Sequence, residues 1–229
     1  MNKKQKKPVV VHITKNGPYR VEGKVPICEV FLMPDITGAI AEYRVGQDKS
    51  KTTEPVLLCR CGASKNKPFC DGKHISLGFD GTETAPKISI LEQAVSFIGP
   101  NLTLYDNEKY CAFARFCDGH GRIWNLVHKG TPETDKHTIR EVHQCPSGRL
   151  IIYDNQTGLP IEPTEDPFIQ VIEDPMIGVH GPLGLRGNII VFDSENQPYE
   201  RRNRQTLCRC GRSRNKPFCD GSHALKEKI

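Results

Sequence analysis

The chain has 229 residues, ten cysteines and a net charge of +5, with 37% hydrophobic and 7% aromatic residues. At roughly 100–150 residues per domain this allows two or three small domains with at least one true core, and it is too long for a miniprotein held by disulfides alone. No apolar run approaches the roughly 20 residues that span a bilayer, and the 32 basic residues are interspersed with 27 acidic ones, which argues against a membrane span and against a nucleic-acid face.

In chain order, the basic start from Met1 to Lys7 has no apolar stretch or cleavage site behind it and reads as a solubilising tail, not a secretory signal. Ten cysteines without a signal point to metal ligation in a reducing compartment, so a cytoplasmic location is expected. Twenty glycines and 17 prolines favour short strands and turns over long helices. Val9 to Ile13 and Gly17 to Val21 are expected as strands, and Cys28, in the apolar stretch Val25 to Met33, as a core thiol. From about residue 82 to 155 the pattern changes: Ile88 to Ile90 and Leu102 to Leu104 predict strands, and Thr134 to Gln144 predicts a helix stopped by Cys145-Pro146-Ser147-Gly148. Ile169 to Ile172 and Gly178 to Pro182 again predict strands.

A repeat organises the chain. Leu58 to His74, Leu-Cys-Arg-Cys-Gly-Ala-Ser-Lys-Asn-Lys-Pro-Phe-Cys-Asp-Gly-Lys-His, recurs from Leu207 to His223, each residue 149 positions after its counterpart. Both copies have the spacing Cys-x-Cys-x8-Cys-x3-His: Cys59, Cys61, Cys70 and His74, then Cys208, Cys210, Cys219 and His223. Four such ligands make a complete metal set. Two cysteines one residue apart in an extended backbone reach one metal, and Cys-x3-His closes over one helical turn onto another, so the four divide two and two. Asp71 and Asp220 stand where an N-cap belongs, predicting a short helix at each Cys-Asp-Gly-x-His, whose amides would face a negatively charged centre. Structural zinc is the rival reading of a Cys3His set, although zinc knuckles space their pairs by two to four residues. Buried, unligated cysteines are a third.

At these residues both copies resemble the CDGSH iron-sulfur family, in which three cysteines and one histidine bind a [2Fe-2S] cluster beneath a small β cap. A single histidine implies a potential between ferredoxin and Rieske centres, and a ligand that titrates near neutrality. The first copy departs from the family in having Lys73 where the second keeps Ser222; a cation there favours the reduced cluster, predicting a higher potential at site one. Between the copies, Cys111, Cys117 and Cys145-Pro146 resemble a divergent mono-cluster ferredoxin whose middle cysteine is replaced by Ala114. That implies a [3Fe-4S] cluster, or a [4Fe-4S] cluster whose fourth iron takes Asp118, His120, another thiol or water; unligated structural cysteines are the alternative. Family members often carry a histidine and a glycine where this chain has Phe113 and Arg115.

The resemblances imply a β-rich α+β fold: a CDGSH unit over residues 8–81, a ferredoxin-like α+β insert over 82–155 and a second CDGSH unit over 156–229, as a monomer with pseudo-twofold symmetry, the two β units packed together and the insert to one side. His12, His128, His137, His143 and His180 lack ligand spacing. The stretches Lys65 to Lys67 and Arg201 to Arg204 read as solvated rims that could steer an acidic redox partner. With no nucleophile triad, phosphate loop or carboxylate pair, electron transfer is expected rather than enzymatic catalysis, with cluster delivery to an apo-acceptor or redox sensing as the alternative.

Overall fold

The computed structural model describes residues 7–225, so the basic start lies outside the described residues but for Lys7, which pairs with Glu22 at 3.5 Å. The first part of the chain forms β1 (Val10–Ile13), β2 (Tyr19–Glu22), β3 (Ile27–Pro34), β4 (Ile40–Asp48), β5 (Val56–Leu58) and the one-turn helix α1 (Lys73–Ser76). The middle adds β6 (Val95–Ile98), β7 (Leu102–Asp106), α2 (Ile123–Leu126), α3 (Pro132–Gln144) and β8 (Leu150–Asp154). The last part adds β9 (Phe168–Asp174), β10 (Val179–Arg186), β11 (Ile190–Phe192) and β12 (Arg204–Leu207). A β-rich α+β protein results, with few and short helices and three sheets ordered β11-β1-β2-β5, β12-β10-β9-β3-β4 and β6-β7-β8.

Strand alternation explains the inward faces: on β2, Tyr19 and Val21 are buried while Arg20 points to solvent. Ile88 to Ile90 is not a strand. Ser89 caps a 3₁₀ turn, Ile90–Gln93, in a capping box with Glu92, and Ser89 also donates to Glu200 at 2.6 Å. The expected helix is present as α3, begun by Thr131 before Pro132 and ended at Cys145.

The two repeats exchange strands. In the first, β1, β2 and β5 pair antiparallel, and β9, β10 and β12 do the same in the second. The further neighbour of β1, however, is β11, parallel, with Val11 opposite Val191, and the further neighbour of β9 is β3, parallel, with Ile27 opposite Ile169. The first sheet thus borrows β11 from the second repeat and the other sheet borrows the hairpin β3–β4 from the first, and Val11, Tyr19, Ile27, Leu58, Ile169, Leu183, Leu207 and Phe218 belong to one core. Leu104, Ile123, Val142, Leu150 and Ile152 form a second core in the middle segment.

Arg204 ties the two cores together. Its side chain, 1% exposed, donates to the carbonyls of Cys145 at 2.9 Å and Leu150 at 3.1 Å, and to those of Val142 and the Glu162 carboxylate. Arg202 stacks over the rings of Tyr110 and Phe218. The stretch Arg201 to Arg204 is therefore structural and not a solvated rim: three of its four residues are drawn in by carbonyls and rings that the sequence places elsewhere.

Candidate metal centres

Each motif begins where a core strand ends. Leu58 bridges to Phe69, with Cys59 donating to the Pro68 carbonyl at 2.7 Å and Cys70 to that of Leu57 at 2.9 Å. The second copy repeats this with Leu207 against Phe218, Cys208 to Pro217 at 2.8 Å and Cys219 to Thr206 at 2.9 Å. A returning segment therefore sets the third cysteine beside the first. Ser64 and Ser213 brace the intervening loop, donating to the carbonyls of Phe69 and Phe218 and accepting from the amides of Asn66 and Asn215.

The ligands gather in pairs. Cys59 and Cys61 sulfurs are 3.9 Å apart and Cys70 Sγ lies 3.4 Å from His74 Nδ1; the second copy has 3.7 Å for Cys208 and Cys210 and 3.4 Å for Cys219 and His223. Among the described residues, no three cysteine, histidine or carboxylate side chains converge as one metal ion would need.

The expected N-caps are corrected. Gly72 and Gly221, at φ 84° and 82°, precede a four-residue helix in the first copy and a three-residue 3₁₀ turn in the second. Such short turns carry little dipole. Asp71 and Asp220 instead brace the loop, accepting amides of Lys65 and Lys73 and of Arg214 and Ser222, while the Gly72 and Gly221 amides donate to the Cys70 and Cys219 sulfurs at 3.4 Å.

The two motifs touch back to back. A Cβ on Gly62 would lie 2.6 Å from the Cys210 carbonyl oxygen, and one on Gly211 2.7 Å from that of Cys61, so only glycine admits this approach. Tyr19 of the first repeat reaches into the second, donating to the carbonyls of Cys208 at 2.8 Å and Pro217 at 3.0 Å. Behind the motifs, buried Arg60 donates to the carbonyl of Gly81, in the segment after α1, and buried Arg209 to that of Gly181 on β10.

Exposure separates the two sites. Cys70 and His74 are half-buried, whereas Cys219 and His223 are 2% and 7% exposed. The cover over site two comes from the middle segment: a Cβ on Gly221 would lie 3.2 Å from the Cys111 carbonyl and 3.7 Å from Phe113 Cβ, while one on Gly72 would meet nothing within 4 Å. Arg115 stacks on the Phe113 ring and pairs with buried Asp174 of β9 at 2.7 Å, pinning this cover to the second repeat. Burial, with Arg209 beside it, pushes the His223 imidazole down to about 4, leaving it neutral and able to ligate at physiological pH. The bond to Cys210 and burial push Cys208 up, while the same bond holds Cys210 down to about 6.

In the middle segment, Cys111, Cys117 and Cys145 line one small cavity of about 20 Å³, bordered by Pro146, Arg149 and the loop between the first two cysteines. That loop has Phe113 at φ 53° and Arg115 at φ 61°, left-handed conformations uncommon for residues other than glycine. Asp118 and His120 do not line the cavity; His120 stacks on His137 and meets Glu141 at 2.9 Å. Burial and the Asp118 charge push Glu141 up to about 8. Arg149 adds a buried cation at the cavity, bonded to Asp106 at 2.6 Å. The covering role of Phe113 has no sequence signal, although its departure from the family pattern marked the position.

The family model described as iron-binding zinc finger of CDGSH type matches residues 16–75 and 180–224, and the one described as divergent 4Fe-4S mono-cluster matches residues 97–155. The chain carries two CDGSH-type iron-binding units, which mark it as an iron-sulfur protein. Between its two CDGSH units lies a divergent ferredoxin-like unit. No curated protein and no solved structure matches the chain. All eight repeated cysteines and histidines of the CDGSH units sit at the pairs described above, Cys28 lies apart on β3, and no helix among the described residues is long and apolar enough to cross a membrane.

Proposed function

We propose that the chain is an electron-transfer protein, without enzymatic activity, holding one [2Fe-2S] cluster on Cys59, Cys61, Cys70 and His74, a second on Cys208, Cys210, Cys219 and His223, and a third, cubane-type cluster on Cys111, Cys117 and Cys145. The observation that carries this reading is the pairing. A tetrahedral metal with sulfur ligands at about 2.3 Å and nitrogen at about 2.0 Å has edges near 3.8 Å between two sulfurs and near 3.5 Å between sulfur and nitrogen. Both copies offer one edge of each kind, at 3.7–3.9 Å and 3.4 Å. Two edges suit a two-iron core, whereas one zinc would need all four ligands on a single centre.

A bound [2Fe-2S] cluster supplies one-electron chemistry. The residues around it set its terms. Glycine amides at Cys70 and Cys219 stabilise the more negative state, and the histidine raises the potential above that of an all-cysteine site. The back-to-back Gly62 and Gly211 bring the two sets into contact, and the Cys111 carbonyl over Gly221 joins the second set to the middle cavity, so the three sites lie in series. A second reading, delivery of a cluster to an apo-acceptor, is favoured by the half-exposed His74.

Iron, sulfide and zinc content of anaerobically purified protein, with visible and electron paramagnetic resonance spectra, tests the reading. About four irons and four sulfides per chain are expected from the two Cys3His sites, and about seven or eight irons with the middle site filled. Zinc without sulfide would overturn it.

A further inference from the structure

We infer that the rim of site one is the docking face for an acidic redox protein, and that site two is an internal site which meets no partner. Resting on the iron-sulfur reading, the inference goes beyond it in naming which of two sequence-identical ligand sets faces outward and what it faces.

Three observations converge at site one. First, the open ligands: His74 and Cys70 are half-buried and nothing lies within 4 Å of a Cβ on Gly72, whereas site two is closed by Phe113 and Cys111. Second, an apolar pair: directly after His74, Ile75 on α1, a helix with no buried residue, is 77% exposed, and Leu77 just after its end is 54% exposed. Third, the charge: Lys65, Lys67 and Lys73 belong to the motif itself, and Lys51 lies over the ring of Phe69, next to Cys70. Among the described residues none of these four lysines is in an ion pair. Against them stands Asp71, whose carboxylate oxygens accept the amides of Lys65 and Lys73. In site two Lys216 keeps the place of Lys67, but Arg214, in the place of Lys65, pairs with Asp220 at 3.7 Å, Ser222 replaces Lys73, and Ala224 stands where site one has Ile75.

An apolar pair flanked by cations that are in no ion pair, though Lys67 donates to the Ser64 carbonyl at 3.1 Å, at a centre that loses or gains single electrons, fits a partner with carboxylates around its own redox group. The lysines steer the encounter and the apolar pair holds contact over His74. Short distance from His74 to the partner then comes from the missing cover.

The test uses the full-length protein with an acidic plant-type [2Fe-2S] ferredoxin as the probe and carbodiimide as a zero-length cross-linker, read by mass spectrometry of the joined peptides. Cross-links are expected on Lys51, Lys65, Lys67 and Lys73, and the variant K51Q/K65Q/K67Q/K73Q is expected to lose them. Cross-links centred on lysines elsewhere, such as Lys109 or Lys129, or none at all, would overturn the docking face. In parallel, oxidation of the reduced protein by the anion hexacyanoferrate(III) should be slowed about tenfold or more in the quadruple variant at low salt and little at high salt. Equal rates at low salt would also overturn it. Iron and sulfide are counted in the same samples: full clusters without these cross-links defeat the docking face alone, and absent clusters defeat the iron-sulfur reading, while cross-linking needs no cluster to report.

Discussion

Around Cys70 and His74 the chain is open, and around Cys219 and His223 the same ligands, at the same spacing and with the same pair distances, are buried. The serine brace, the aspartate brace and the glycine amide on sulfur recur in both motifs. What differs is a third part of the chain. The loop carrying Cys111 and Phe113, fastened by Arg115 to Asp174, lies over one copy and leaves the other bare. Duplicated sequence thus yields two equal ligand sets, and an unduplicated segment makes them unequal in access.

The largest consequence is in cluster lability. With one site removed at a time, by Cys70→Ser or Cys219→Ser, loss of iron to a chelator, followed by visible absorbance, should be at least about tenfold faster from site one than from site two; equal rates would break the comparison. Phe113→Ala should speed loss from site two several-fold and leave site one unchanged, because it removes the cover without touching a ligand.

Next in size is the bond that crosses between repeats. Tyr19→Phe leaves the Cys208 carbonyl without its buried donor and should cost about 1–2 kcal/mol in denaturant unfolding. Its effect on spectra should fall on site two alone, although Tyr19 belongs to the first repeat; a change confined to site one would contradict the exchange described here. Smaller again is the electrostatic difference. Site one should have the higher potential, and Lys73→Ser should lower it by no more than about 60 mV, a tenfold change for a one-electron couple, as read by redox titration.

The smallest effect expected lies in the middle unit and depends on pH. Glu141 is buried and held up to about 8, above its ordinary value of 4.5, so the protonated acid is the form the fold favours. Its contribution is complete below the ordinary value and is lost as pH rises through about 8. Glu141→Gln should therefore raise Tm above pH 8 by roughly 2–4 °C, about 1 kcal/mol, and change little near pH 5. A constant difference across that range would show that the carboxyl is not titrating.

Much of the site was legible because ligand spacing is a local property. Cys-x-Cys and Cys-x3-His pairs are held by hydrogen bonds within the motif, so the division of the eight candidate ligands into pairs and the family could be read from residues 59–74 and 208–223. Short strands broken by glycine and proline were legible for the same reason, as was α3 between Thr131 and Cys145. The N-cap role given to Asp71 and Asp220 failed because glycine in the left-handed conformation stands between each aspartate and a turn too short to need a side-chain cap. Ile88 to Ile90 failed because Ser89 and Glu92 satisfy each other's backbone locally, which favours a turn over a ladder.

The sequence by itself determined which residues are the candidate ligands and which family they belong to, since chemistry and spacing within about 16 residues suffice for that. Only the tertiary structure decided how those sets are joined and which of them meets solvent. The exchange of β3 and β11 pairs strands about 140–180 positions apart in parallel, and such pairing leaves no periodic trace in either strand. The cover over site two depends on one arginine reaching one buried aspartate 59 positions later, a contact set by where the cores dock and not by any local pattern.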